Sequence, residues 1–126
     1  MIKSLVFLIL TFSCIPKYKN FKVIQKGEIK VSILTETGNI KVGNNKFQIV
    51  VEPKENIIKE VFLYMPPTNS SDESRIVAKF EYKNYGIYEG SIDVNKKGIW
   101  DLVIILNDGS SISENIAIGM HDEFGF

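Results

Sequence analysis

Apolar and polar residues alternate in short runs along most of the chain, and no helical periodicity of useful length follows residue 20. Turn-forming residues such as Gly38-Asn39, Pro53, Pro66-Pro67 and Asn107-Asp108-Gly109 interrupt the runs. The alternation predicts strands over 28–37, 46–52, 57–65, 76–82, 88–94, 99–106 and 111–118. Strands of this length, separated by turns, predict an all-β fold, an immunoglobulin-like antiparallel β-sandwich of about seven strands.

The N-terminus has the pattern of an export signal. Met1–Lys3 carries one positive charge, and Leu5–Phe12 is apolar but well short of the ~20 residues that a membrane-spanning helix needs. The segment ending at Ser13-Cys14 resembles a bacterial lipoprotein cleavage box, although Thr11 stands where that box prefers Leu. The resemblance implies cleavage before Cys14 and lipidation of this residue, and its acyl chains would anchor an exported protein on the extracytoplasmic or periplasmic side of a membrane. The alternative is a buried first strand with a free cysteine.

These features divide the chain into a signal peptide (1–13), a lipidated cysteine with a tether (14–27), a β-sandwich domain (28–119) and a C-terminal tail (120–126). The 15 Lys and Arg residues balance the 15 Asp and Glu residues, so the net charge disfavours nucleic acid as a partner. A single cysteine excludes an internal disulfide and a cysteine-rich zinc site.

Four landmarks in the domain carry a family resemblance: Gly43–Phe47, Met65–Pro67, Tyr85–Gly90 and Gly98–Trp100. In this order and spacing they resemble the YtkA-like domain family, small extracytoplasmic β-sandwiches that are also similar to the soluble part of FixH-type proteins. The resemblance implies a role near copper handling, cytochrome oxidase assembly or metal efflux. Many members carry Met or His in the loop after the Met-Pro element, whereas residues 68–73 of this chain contain neither.

Copper is therefore the candidate metal, and Cu(I) favours thioether and imidazole ligands. The available groups are Met65, Met120 and His121. Met120 and His121 precede two acidic residues beyond the last predicted strand, where a weak site could assemble. The alternative is that this segment is a solvated tail and that Met65 fills a gap in the core.

A candidate partner surface consists of Phe62, Tyr64, Pro66 and Pro67. Phe62 and Tyr64 alternate with Val61, Leu63 and Met65, so one of the two sets faces away from the core. Trp100 shares its face with Leu102, Ile104 and Leu106, which predicts a core position.

Catalytic machinery is not expected, because a Ser-His-Asp arrangement would need His121, close to the C-terminus. The sequence and the resemblance together favour a non-enzymatic lipoprotein module, accessory to a membrane protein complex in metal or copper handling. The alternative is an envelope protein–protein interaction module that binds no metal.

Overall fold

The computed structural model describes residues 18–119, which form nine strands. In chain order the strands are β1 (Lys19–Lys26), β2 (Ile29–Thr35), β3 (Gly43–Glu52), β4 (Ile58–Met65), β5 (Ser74–Val77), β6 (Lys79–Asn84), β7 (Ile87–Val94), β8 (Gly98–Leu106) and β9 (Ser111–Ile118).

The strands form two antiparallel sheets. One sheet has five strands in the order β1-β2-β3-β7-β6, and the other has four in the order β5-β4-β8-β9. The inner faces of the two sheets supply one hydrophobic core, so the prediction of an all-β sandwich is confirmed.

Alternation along each strand determines which side chains reach the core. Trp100 and Ile104 of β8 are fully buried, as is Leu63 of β4, and they meet Ile49 and Tyr88 from the five-stranded sheet. The residues between them in the sequence point outwards. Burial of an aliphatic or aromatic side chain of this size contributes about 1.5–3 kcal/mol, so this core is the main stabilising element.

The segment predicted as one strand over 76–82 is two strands that belong to different sheets. β5 pairs with β4 in the four-stranded sheet, and β6 pairs with β7 in the five-stranded sheet. Ala78 lies at the crossing, where its backbone N–H donates a hydrogen bond to the Val61 carbonyl at 2.9 Å. The prediction of a single strand was wrong. Both strands face the same core, so the alternation of apolar and polar residues continues unbroken through Ala78 and hides the change of sheet.

The segment 14–27, expected as a tether, contains β1. This strand pairs with β2 from Lys19↔Thr35 to Lys26↔Ile29, with a bulge between Asn20 and Lys22. The strand pattern of β1 was hard to recognise because an edge strand places few side chains in the core. In β1, Ile24 is buried in the core, and Phe21 packs against the core with part of its surface. The sandwich therefore begins at Lys19, nine positions earlier than the expected boundary at 28.

The connections between strands lie at two opposite ends of the sandwich. We call one the terminal end, because Tyr18 and Gly119 lie there together with the connections 36–42, 66–73 and 95–97. We call the other the turn end, which holds the connections 27–28, 53–57, 85–86 and 107–110.

Candidate functional site

Three of the predicted site residues lie outside the described part of the chain. Cys14, Met120 and His121 fall in segments 1–17 and 120–126, so lipidation and a metal site in the tail stay predictions. The signal peptide over 1–13 stays a prediction for the same reason. Residues 18–119 contain no helix long and apolar enough to cross a membrane.

Met65 ends β4 and packs against the core with part of its surface. Its Cε is close to Gly98 at the start of β8: a Cβ added to Gly98 would lie 2.8 Å from that carbon. Between Tyr18 and Gly119, no group of three or more His, Cys, Asp or Glu side chains is placed to hold a metal ion. The Met65 side chain thus has a packing role, whereas its predicted role as a metal ligand stays a prediction.

Phe62 and Tyr64 lie on the outer face of the four-stranded sheet, as the alternation along β4 requires. Phe62 is directly opposite Val77 of β5 and Val103 of β8. All three side chains alternate with residues that point into the sandwich, and Val77 is 53% exposed. Ile105 lies further along β8 on the same face. These four residues form what we call the apolar strip.

One cation covers part of this strip. The Arg75 guanidinium carbon lies 4.1 Å from the centroid of the Phe62 ring, within the range of a cation–π contact. The same guanidinium forms an ion pair with Glu60 on the neighbouring strand. Arg75 is about half exposed and Glu60 is partly exposed, so the pair contributes little to stability but holds Arg75 over the ring.

Tyr64 forms the rim of the strip towards the terminal end. Its hydroxyl donates a hydrogen bond to Glu73 Oε2 at 2.8 Å. This hydrogen bond, with a smaller contribution from desolvation, raises the pKa of the Tyr64 phenol above its ordinary value. Pro66 and Pro67 follow in the next connection and are exposed. The predicted partner residues thus follow one another along β4, an interior strand of the four-stranded sheet, and into the connection after it.

The outer face of the five-stranded sheet is different in character. Its central strands present charged and amide side chains, including Gln48 and Glu89, which lie opposite each other. On the edge strand β6, Glu81 and Lys83 form an exposed ion pair at 2.6 Å. The hydrogen bond from Lys83 lowers the pKa of Glu81, and the same contact raises the pKa of Lys83. Apolar side chains also point outwards on this sheet: Val23 is 45% exposed, and the partly exposed Val50 and Ile87 lie opposite each other.

Two concave features of the described residues are smaller than typical small-molecule sites. A cavity of about 20 Å³ lies between the sheets, lined by residues such as Phe47 and Leu63, and it has room for about one water molecule. A surface cleft of about 190 Å³ lies at the turn end beside Ile57 and Leu106. Ligand pockets usually enclose about 300–1,000 Å³, so neither feature matches that class of site.

Sequence reasoning identified Phe62 but missed Val77 and Val103, its neighbours across the sheet. Each shows the outward alternation of its own strand, but their proximity depends on strand pairing, which a single sequence does not specify. No protein-family model matches this chain, and no curated protein matches it significantly. The resemblance to the YtkA-like family therefore stays a prediction that rests on the landmarks.

Proposed function

We propose that this protein is a non-catalytic module that is held at a membrane through Cys14 and binds a protein partner through the apolar strip. The observation that carries the proposal is the strip itself: Val77, Phe62 and Val103 lie side by side on an outer face. Exposed apolar patches with a polar rim are typical of protein interaction sites. An aromatic ring and an arginine at the centre are also the residue types enriched in interfaces.

The partner surface is tested by site-specific photo-crosslinking in cells. A benzoylphenylalanine residue replaces Val77 on the strip or, as a matched control, Glu81 on the charged outer face. We expect one dominant protein adduct from position 77 and none from position 81. Introducing Phe62→Ala alongside the probe should reduce that adduct. Equal adducts from both positions, or an adduct that Phe62→Ala leaves unchanged, would contradict the proposal.

The tether is tested separately. Cys14→Ala should release the protein from membranes into the soluble extracytoplasmic fraction, and mass spectrometry of the native chain should show acyl chains on Cys14. Ser13→Ala keeps a small residue before the cysteine and serves as the control. Membrane retention of the Cys14→Ala chain would argue against the anchor.

A role in copper handling within a membrane protein complex is the second candidate. It is supported by the landmarks of the resemblance and by the adjacent soft ligands Met120 and His121. Calorimetric titration with Cu(I) under reducing conditions should show saturable binding that Met120→Ala with His121→Ala abolishes. Absence of binding would leave the protein-interaction function alone.

A further inference from the structure

The centre of the terminal end carries a group of lysines around an exposed valine. Gly119 brings two connections together: a Cβ added there would lie 2.9 Å from Lys97 Cβ and 3.5 Å from Val42 Cγ2. Lys41 precedes Val42, and Lys96 precedes Lys97. Val42 is 47% exposed. We call these four residues, Lys41, Val42, Lys96 and Lys97, the basic tip.

Buried side chains hold the backbone of this tip in place. Asn45 is buried, and its amide nitrogen donates hydrogen bonds to the carbonyls of Lys41 at 2.7 Å and Gly43 at 2.9 Å. Its carbonyl oxygen accepts a hydrogen bond from the Lys41 N–H at 2.9 Å. On the other connection, the indole N–H of the fully buried Trp100 donates to the Lys96 carbonyl at 3.2 Å. The two lysine-bearing connections are therefore fixed by the core.

Among the described residues, acidic groups also lie at the terminal end, and Asp93 is next to the basic tip, where it accepts a hydrogen bond from the Asn44 amide at 3.0 Å. Glu36 is close enough to Tyr18 to contribute to the raised pKa of that phenol. Asp72 and Glu73 belong to the connection between β4 and β5, and β5 is the far edge of its sheet. Asp122 and Glu123 follow Gly119 in the sequence.

The position of β1 limits how far this end can lie from an anchored cysteine. Four peptide units join Cys14 to Tyr18, and they span at most about 14 Å even when fully extended. The polar headgroup region on each side of a bilayer is itself about 5–8 Å thick. Acyl chains on Cys14 would therefore keep the terminal end within reach of the headgroups, whereas the expected tether up to residue 27 would have left the domain free to move away.

We infer that the basic tip is a membrane-contact surface, on which Lys41 and Lys96 meet anionic lipid headgroups and Val42 enters the interface. This inference rests on the proposed tether at Cys14. Juxtamembrane lysines are attracted to anionic leaflets, and each contributes about fivefold in affinity at the surface. In this orientation the turn end points away from the membrane, and the apolar strip stands at the side, where a membrane-bound partner can reach it.

The test uses the full chain in vesicles of phosphatidylcholine alone or with one part in three of phosphatidylglycerol. A benzoylphenylalanine probe is placed at Val42 or, at the opposite end, at the 72% exposed Tyr85. We expect lipid adducts at position 42 in the anionic vesicles and few at position 85. Lys41→Gln with Lys96→Gln should reduce binding to the anionic vesicles through this surface by about 25-fold, from about fivefold for each lysine. Lys30→Gln with Lys79→Gln, the same charge change on the outer face of the five-stranded sheet, should leave it unchanged.

The possible outcomes are distinct. Equal lipid adducts at positions 42 and 85, or equal effects of the two double substitutions, would overturn the inference. A protein adduct at Val42 in cells in place of a lipid adduct would overturn it as well, because the tip would then be a protein interface. The acylation state of Cys14, measured by mass spectrometry on the same samples, tests the tether alone. An acylated chain without preferential adducts at Val42 refutes the membrane-contact surface and leaves the tether intact.

Discussion

The phenol of Tyr88 connects the core to the beginning of β4, and its removal has a predictable effect on stability. Tyr88 is 1% exposed, and its hydroxyl donates a hydrogen bond to Asn56 Oδ1 at 2.8 Å. The same oxygen accepts a hydrogen bond from the buried Ile58 N–H at 3.0 Å. Tyr88→Phe removes both hydrogen bonds but retains the ring, which packs edge-on against Phe80 and Tyr82.

The expected loss of stability depends on whether Ile58 and Asn56 can find new hydrogen-bond partners after the Tyr88 hydroxyl is removed. The Ile58 N–H is buried and would lose its partner, and a buried unsatisfied donor costs about 1–3 kcal/mol. Asn56 is exposed, so its side chain can turn to water and adds little. No methylene group is lost, so the penalty for a new cavity is small. We therefore expect Tyr88→Phe to lower the free energy of unfolding by about 2 kcal/mol.

Urea denaturation followed by tryptophan fluorescence provides the assay. Trp100 is the only tryptophan of the chain and is fully buried, so its emission reports loss of the core. The urea concentration at the midpoint of unfolding should be lower for Tyr88→Phe. The slope of the free energy of unfolding against urea concentration should stay constant, because the surface exposed on unfolding is unchanged. Tyr85→Phe, at a 72% exposed position, is the matched control and should have almost no effect.

The reasoning would be refuted if Tyr88→Phe changed the free energy of unfolding by less than about 0.5 kcal/mol, the usual range for surface substitutions. A double-mutant cycle with Asn56→Ala adds a second criterion. Because Tyr88 and Asn56 share a hydrogen bond, their effects should not be additive. Strict additivity would show that this hydrogen bond does not stabilise the connection.

Three further predictions concern Gly90, the titration of Tyr88 and Glu114. Gly90→Ala should destabilise the protein by about 3 kcal/mol in the same urea assay, because the added Cβ would lie 2.6 Å from Phe80 Cβ, whereas Ser91→Ala should be tolerated. The contribution of Tyr88 to the free energy of unfolding should be fully present below its ordinary pKa of 10.0 and be lost as the pH rises above it, because burial raises the folded-state pKa of Tyr88. A Tyr88→Phe chain should show a weaker decline above about pH 10, and an equal decline in both chains would contradict this. Glu114→Leu should raise the free energy of unfolding by about 1 kcal/mol, because Glu114 Oε2 is buried without a hydrogen-bond partner among the described residues; a decrease would show that this carboxylate is solvated.

The features that could be predicted from the sequence are those encoded within a single strand. The face of β8 that carries Trp100, Leu102 and Ile104 is buried as the alternation predicts. β1 was not recognised because an edge strand places few residues in the core, and because its several lysines are equally typical of a polar tether. The division of 74–84 into two strands was hidden because the alternation passes through Ala78 without a break.

The candidate sites were less predictable because they depend on contacts between distant parts of the chain. The pairing Phe62↔Val77 arises from the register between β4 and β5, and Phe62↔Val103 from that between β4 and β8. The basic tip likewise brings Val42 beside Lys97, more than fifty residues away in sequence. Strand register and sheet order also depend on the turns and on the neighbouring strands, so periodicity along one segment does not identify which residues pair.

The crossing at Ala78 has a mechanical consequence. One extended segment, from Ser74 to Asn84, is hydrogen-bonded into both layers, so neither layer can be peeled away without disturbing the other. In native-state hydrogen exchange, the central amides of β4 and of β7 should therefore open together, with one shared free energy. A pulling force applied to one sheet would be transmitted through this segment to the other, and the sandwich would yield as a single unit.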